Sequence, residues 1–215
     1  MAGLFITFEG GEGAGKSTQA TLLAQAFTQR GYRVITTREP GGTHVGASIR
    51  QMLLHGEDVD PRAEALLFAA DRAHHVAKVI RPALEDGSIV ICDRYMDSSV
   101  AYQGGARSLN PKHIRAISLW AVQGLLPDLT VLLDLPVDEG LKRAGNQPDR
   151  MESQGQRFHE RVRVNFLKLA HAEQKRFTVI DASLPVQEIA ERVWNTAQAL
   201  LPGRDLANDS YRMGN

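Results

Sequence analysis

Gly10-Gly11-Glu12-Gly13-Ala14-Gly15-Lys16-Ser17 fits the pattern G-x-x-x-x-G-K-[S/T] at every fixed position. The apolar run Leu4 to Phe8 precedes it, and the helical pattern Lys16 to Arg30 follows it. A glycine-rich turn between strand and helix lets backbone N–H groups curl round phosphate oxygens, and the helix N-terminus adds partial positive charge. Gly10 through Ser17, with Thr18 on the first helical turn, is therefore the expected cradle for a nucleoside triphosphate. Lys16 is expected to reach the β- and γ-phosphates, and the Ser17 hydroxyl to hold Mg²⁺. The motif leaves open which triphosphate is bound and whether its phosphoryl goes to water or to an acceptor. Glu12 places a negative charge beside phosphates. It reads either as a solvated turn residue or as a partner for a lid arginine or a substrate hydroxyl.

Outward from this turn, short apolar runs alternate with longer helical patterns. The strands are expected at Leu4 to Phe8, Arg33 to Thr37, Ile89 to Cys92, Leu129 to Leu133 and Phe177 to Ile180. Their nearly continuous apolar character suits parallel strands covered on both faces. Helices are expected at Lys16 to Arg30, His44 to Leu54, Arg62 to Leu84, Pro111 to Leu125, Val137 to Ala144, Gln154 to Gln174 and Pro185 to Leu201. The fold class is α/β, a P-loop NTPase fold with a five-stranded parallel sheet flanked by helices. The polar stretch Gly145 to Gly155 interrupts two helical patterns and reads as a mobile loop. The expected organisation is one domain over 1–202 with a small lid at about 143–155, then a polar, frayed tail over 203–215.

Composition excludes several classes. The chain has 215 residues, with Lys plus Arg equal to Asp plus Glu at 25 each, which argues against a dedicated nucleic-acid-binding module. Cys92 is the only cysteine, so neither an intrachain disulfide framework nor a cysteine-rich metal site is available. It lies in the apolar run Ile89-Val90-Ile91-Cys92 and reads as a small buried hydrophobe. No signal peptide or membrane-length apolar segment is legible, which makes the cytoplasm the expected location.

That same run continues into Asp93-Arg94-Tyr95. An acid at the carboxyl end of a parallel strand beside a P-loop can hold Mg²⁺, often through water, and Arg94 would lie near the transferred phosphoryl. A local ion pair capping the strand is the alternative. Arg38, Arg50, Arg72 and Arg94 are scattered in sequence and individually read as surface residues. Gathered in one crevice, they would form a second anion site, for which the guanidinium fork is well shaped.

Several stretches together resemble the thymidylate kinase family. They are Glu12-Gly13-Ala14-Gly15-Lys16-Ser17-Thr18, Thr37-Arg38-Glu39-Pro40-Gly41-Gly42-Thr43, Leu67-Phe68-Ala69-Ala70-Asp71-Arg72, Asp93-Arg94-Tyr95 and Ala101-Tyr102-Gln103-Gly104-Gly105, in that order. Pro127-Asp128-Leu129-Thr130 and Asp149-Arg150-Met151-Glu152 extend the likeness, which runs from about residue 4 to about residue 200. The resemblance implies a kinase that transfers the γ-phosphoryl of ATP to dTMP with Mg²⁺, giving dTDP and ADP. It implies that Phe68 stacks on thymine, that Arg72 bonds a base carbonyl, and that Arg38, Arg50 and Arg94 contact the dTMP phosphate. Ser99 and Gln103 would lie along the base edge, and Tyr102 would crowd the sugar 2′ position. Glu9, Lys16, Ser17 and Asp93 would belong to the phosphate and Mg²⁺ side.

The lid departs from the family pattern. Members with such P-loops usually carry several lid arginines, to neutralise charge on the transferred phosphoryl. Here Lys142-Arg143-Ala144-Gly145-Asn146-Gln147-Pro148-Asp149-Arg150 is short and uncharged in its middle. Arg143 and Arg150 are the candidates for a catalytic arginine, with Arg157 a distant third. The rival readings are a kinase of the same fold acting on another nucleotide or nucleoside, a GTPase switch, and an assembly ATPase. No Asn-Lys-x-Asp guanine-reading stretch is present. A homodimer through the 62–84 and 111–125 helices is the expected assembly.

Overall fold

The computed structural model describes residues 3–107, 109–144, 150–151 and 153–201. Five strands form one sheet: β1 (Leu4–Gly10), β2 (Val34–Arg38), β3 (Ile89–Asp93), β4 (Leu129–Asp134) and β5 (Phe177–Asp181), in the order β2-β3-β1-β4-β5. Every pairing is parallel. β1 is central, and its side chains alternate between two packed layers. Ile6 and Phe8 join the cluster under α1 (Lys16–Gln29) and α9 (Val186–Gln198), with Leu23, Phe27, Ile189 and Val193. Phe5 faces the opposite layer with Val90, Cys92 and Tyr95. Burial on both faces is why these strands read as unbroken apolar runs.

Each strand runs one or two residues beyond its expected end, and the added residues are Glu9 and Gly10 on β1, Arg38, Asp93, Asp134 and Asp181. Apolar patterning cannot reveal these ends, because the ladder continues into polar residues at the carboxyl edge of the sheet. That edge is where open α/β sheets bind ligands. In register, Phe8 and Arg38 both lie opposite Asp93.

On the second layer lie α2 (His44–His55), α3 (Pro61–His75), α4 (Arg81–Glu85), α5 (Met96–Ser99), α6 (Pro111–Ala121) and α8 (Gln156–Ala172); α7 (Val137–Ala144) follows β4. The expected 62–84 helix is three pieces, since a wider π turn at Val76–Ile80 separates α3 from α4. Pro82 in the first turn of α4 has no N–H to close a bond to the residue 78 carbonyl, and a π turn absorbs that loss. The 111–125 helix stops at Ala121, because Gln123 and Gly124 take φ of 50° and 72°. One helical stretch was not expected: α5 passes into a π segment, Val100–Ala106. Gly104-Gly105 hides it from propensity. Both glycines serve close packing, since a Cβ on Gly105 would overlap the Asn165 amide and one on Gly104 would come within 2.9 Å of the Pro111 Cα.

The expected lid centre, Gly145 to Asp149, and the 203–215 tail lie outside the described residues. Among the described residues, no helix is long and apolar enough to cross a membrane.

Candidate active site

The P-loop joins β1 to α1. Gly10, Gly13 and Gly15 have φ of 143°, 67° and 89°, a region that favours glycine. Gly15 caps α1 without a side-chain bond, so the first helical N–H groups stay open toward the loop. Ala14 is buried, whereas Ser17 and Thr18 are exposed. The Lys16 ammonium donates to the carbonyls of Gly11 (2.7 Å) and Gly10 (3.3 Å). Burial and the neighbouring Arg94 charge push its pKa down, partly offset by Glu12 and Asp93. The Ser17 hydroxyl donates to Asp93 Oδ2, which joins the end of β3 to the loop.

Beside this loop opens a cavity of about 320 Å³. The structure brings together on its wall Glu12, Gly13, Gly15, Lys16, Ser17, Thr18, Asp93, Arg94 and the expected acceptor residues Arg38, Arg50, Phe68, Arg72, Ser99, Tyr102 and Gln103. Arg94 lines it with a left-handed φ of 67°. Its N–H bonds the Phe8 carbonyl (2.9 Å), and the Cys92 thiol donates to its carbonyl (3.0 Å). Its guanidinium bonds Glu12 (2.7 Å), Tyr102 Oη (3.2 Å), Ser98 Oγ (3.2 Å) and the Gly10 carbonyl (3.2 Å).

Glu12 is thus neither a solvated turn residue nor a lid partner here. It holds Arg94 and accepts from the Tyr102 hydroxyl at 2.7 Å. Burial alone would raise its pKa, but Arg94, Lys16 and Tyr102 outweigh burial and lower it to about 2. A carboxylate so acidic is a fixed negative charge and a poor proton acceptor.

Arg72 is buried. Its Nε donates to Glu39 (2.6 Å), and its Nη2 donates to the Tyr95 carbonyl (3.3 Å) and Ser99 Oγ (3.2 Å). Glu39 also meets His75 Nδ1 (2.9 Å), and His75 Nε2 meets Thr37 Oγ1 (2.6 Å). This buried chain fixes the guanidinium at the cavity wall. Arg50 donates to the Pro40 carbonyl (3.0 Å). Arg38 is exposed at the end of β2.

Three expected site residues lie off the cavity wall. Glu9 does not line the cavity. It is fully buried, and its carboxylate accepts from Tyr95 N (2.8 Å), Ser98 N (3.3 Å) and Ser98 Oγ (2.5 Å). Burial and then Asp97 push its pKa up. Glu9 therefore shapes the turn that carries Arg94. Arg150 is not at the P-loop: its Nη2 pairs with Glu64 (2.6 Å) and its Nε bonds the Leu53 carbonyl (2.8 Å). Arg143 has its stem against the loop, since a Cβ on Gly13 would lie 3.1 Å from the Arg143 Cβ. Its guanidinium, however, bonds the Ala182 carbonyl (2.9 Å) and is not on the cavity wall.

The sequence reading assigned no role to Glu39 or His75, and Glu64 escaped it entirely. Glu64, Phe68 and Arg72 are spaced i, i+4, i+8 on α3, so two buried charges flank an aromatic ring on what looked like a core face.

A model of the thymidylate kinase family matches residues 8–193. The chain belongs to the thymidylate kinase family. It is 56% identical over 207 residues to the thymidylate kinase of Clavibacter michiganensis subsp. michiganensis, covering 94% of this chain and 97% of that one. It is 57% identical over 195 residues to that of Leifsonia xyli subsp. xyli, covering 89% and 92%. The crystal structure of thymidylate kinase from Ehrlichia chaffeensis superposes with a TM-score of 0.78 at 32% identity, covering 92% of this chain and 100% of that one. In this thymidylate kinase family member the cavity runs from the phosphate loop to Phe68.

Proposed function

We propose that this chain transfers the γ-phosphoryl of ATP to dTMP, giving dTDP and ADP in the supply of dTTP. The observation that carries the reading is the continuity of one cavity, with a phosphate cradle at one end and an aromatic ring beside a buried guanidinium at the other. Thymine stacks on Phe68 and takes a hydrogen bond to a carbonyl from Arg72. Ser99 and Gln103 meet the base edge, and Tyr102 excludes a 2′-hydroxyl. Arg38, Arg50 and Arg94 bind the acceptor phosphate. The loop 10–15, Lys16, Ser17 and Thr18 bind ATP.

An oxygen of the dTMP phosphate attacks the γ-phosphorus in line, and the bond to the β–γ bridging oxygen breaks, leaving ADP. The nucleophile is already anionic, so no general base is required, which agrees with a Glu12 carboxylate too acidic to act as one. Catalysis then rests on positioning and charge neutralisation by Lys16 and Arg94. A hydroxyl and a carboxylate oxygen, from Ser17 and Asp93, are the hard donors that Mg²⁺ prefers, and the hydrogen bond between them supports their holding one ion together. Bound there, Mg²⁺ would neutralise the charge of the triphosphate. Arg143, rooted beside Gly13, is better placed than Arg150 to serve the ATP side.

The working unit is a single domain over 1–202 with a lid near 143–155, acting in the cytoplasm as a homodimer. The packed pair α3 and α6 supports the dimer, since each presents a large exposed apolar side chain, Leu66 at 57% and Trp120 at 81%.

The test is ADP release with Mg·ATP and dTMP, dUMP, dCMP, dGMP, ribo-TMP or thymidine in turn, and with no acceptor. Strong turnover with dTMP and weaker turnover with dUMP is expected. Turnover with another acceptor but not dTMP would overturn the substrate, and equal release without acceptor would make the chain a hydrolase.

A further inference from the structure

We propose that Glu64 is a positioning residue that fixes which base edge the acceptor pocket takes, by locking the amide of Gln103. The inference rests on the dTMP reading of the cavity. Glu64 is fully buried on α3, one turn before Phe68. Three side chains distant from Glu64 in sequence converge on its carboxylate. Gln103 Nε2 donates to Oε1 at 3.0 Å, and Arg150 Nη2 donates to Oε2 at 2.6 Å. Arg107 bridges both oxygens, through Nε at 3.4 Å and Nη2 at 3.2 Å.

A carboxylate engaged with two guanidinium groups only accepts hydrogen bonds. Gln103 must therefore turn its nitrogen toward Glu64, and the chemistry of the network dictates which way the amide faces. The amide oxygen is left to the cavity that Gln103 lines, and among the described residues nothing donates to it. An oxygen in that position requires an N–H from the ligand. Thymine and uracil carry a hydrogen on N3. Cytosine presents a lone pair there, and an N3-methylated thymine presents a methyl group, so each leaves a buried acceptor unpaired. Arg107 and Arg150 hold Glu64 in turn. Arg107 Nη1 also meets Gln154 Oε1 at 3.4 Å, and Gln154 Nε2 donates to the Arg150 carbonyl at 3.0 Å. The anion that orients the base-reading amide therefore also holds Arg150 and, through Arg107, Gln154.

The test is calorimetric dissociation constants for dTMP and N3-methyl-dTMP with the wild type, Glu64→Gln, Gln103→Ala and the double variant. Glutamine at 64 can donate as well as accept, so the amide of Gln103 is freed to turn over. The wild type should prefer dTMP strongly, and Glu64→Gln should shrink that preference by about tenfold, the scale of one hydrogen bond. In the Gln103→Ala background the same change should leave the preference where it stands, because Glu64 acts only through that amide. Glu64→Asp keeps the charge for both arginines but draws the oxygen away from Gln103. It carries the same expectation and replaces Glu64→Gln if thermal melting shows that variant unfolded. A Glu64→Gln protein that binds both nucleotides more weakly but by an equal factor would overturn the proposal and leave Glu64 a structural residue. A wild type that binds neither nucleotide would instead overturn the dTMP reading on which the proposal rests.

Discussion

Arg94 is a long, charged residue in a backbone conformation that costs a non-glycine residue about 1–2 kcal/mol. The bonds of its main chain to Phe8 and Cys92, and of its guanidinium to Glu12 and Tyr102, hold it there. Strain held this firmly is typical of a group whose direction matters more than its comfort. Phe68 contributes differently, as a flat face. Phe68→Ala should raise the KM for dTMP by about tenfold or more, since base–aromatic stacking is worth ~1–3 kcal/mol, while the KM for ATP stays nearly constant. Steady-state kinetics in both substrates would check this. Asp71 provides a pH prediction. Its Oδ1 accepts from Gly41 N–H at 3.2 Å, and its buried Oδ2 has no partner among the described residues. Burial, with Glu39 nearby, raises its pKa from 3.8 to about 6. The folded state therefore binds this proton more tightly than the unfolded state. That contribution is complete below about pH 4 and is lost as pH rises through about 6. At neutral pH the wild type carries a disfavoured buried charge, so Asp71→Asn should be the more stable protein there, by about 1–2 kcal/mol. Thermal melts from pH 4 to pH 8 should show the advantage vanishing toward acid.

Between elements, the contact to watch is the one where the P-loop meets α7. Gly140 comes so close to the loop that a Cβ on it would overlap the Glu12 carbonyl, and a Cβ on Gly13 would overlap the Gly140 carbonyl. Gly140→Ala should push the root of the lid away from the loop. ATP affinity should fall by about tenfold, the size of a mild overpacking penalty of ~1–2 kcal/mol, with dTMP affinity changed far less. Separate titrations of the two nucleotides would decide. Elements of this kind were unevenly legible. The five strands and the P-loop stood out because continuous apolar runs and a contiguous glycine turn are local signals. The phosphate end of the site is local in the same way. The base end is not: Phe68 and Arg72 read as ordinary helix residues and Gln103 fell between expected elements, so only the family resemblance drew them together. Glu64 and Arg150 are 86 positions apart, and no spacing rule joins them. The helix at 96–106 was hidden because its two glycines, poor helix formers, are there for packing against Pro111 and Asn165.

For the whole molecule, the homodimer reading predicts that Trp120→Lys combined with Leu66→Lys yields a monomer by light scattering, against a dimer for the wild type. Charges set into an apolar contact are left unpaired there and cost more than the lost area alone. Folding of each subunit should survive, because both side chains are exposed in the single chain. Cys92 gives the molecule a further property. It is fully buried in β3, with its thiol pKa pushed up by burial, and the sequence contains no other cysteine. A thiol reagent thus has nothing to attack until the second strand from the sheet edge comes free. The protein carries an internal clock for its own opening, readable as the rate of a single labelling event without any engineered probe. Where closing outpaces labelling, a ligand present at a hundred times its dissociation constant should slow that clock about a hundredfold. Occupancy of either nucleotide site could then be timed from one sulfur atom that lies off the cavity wall.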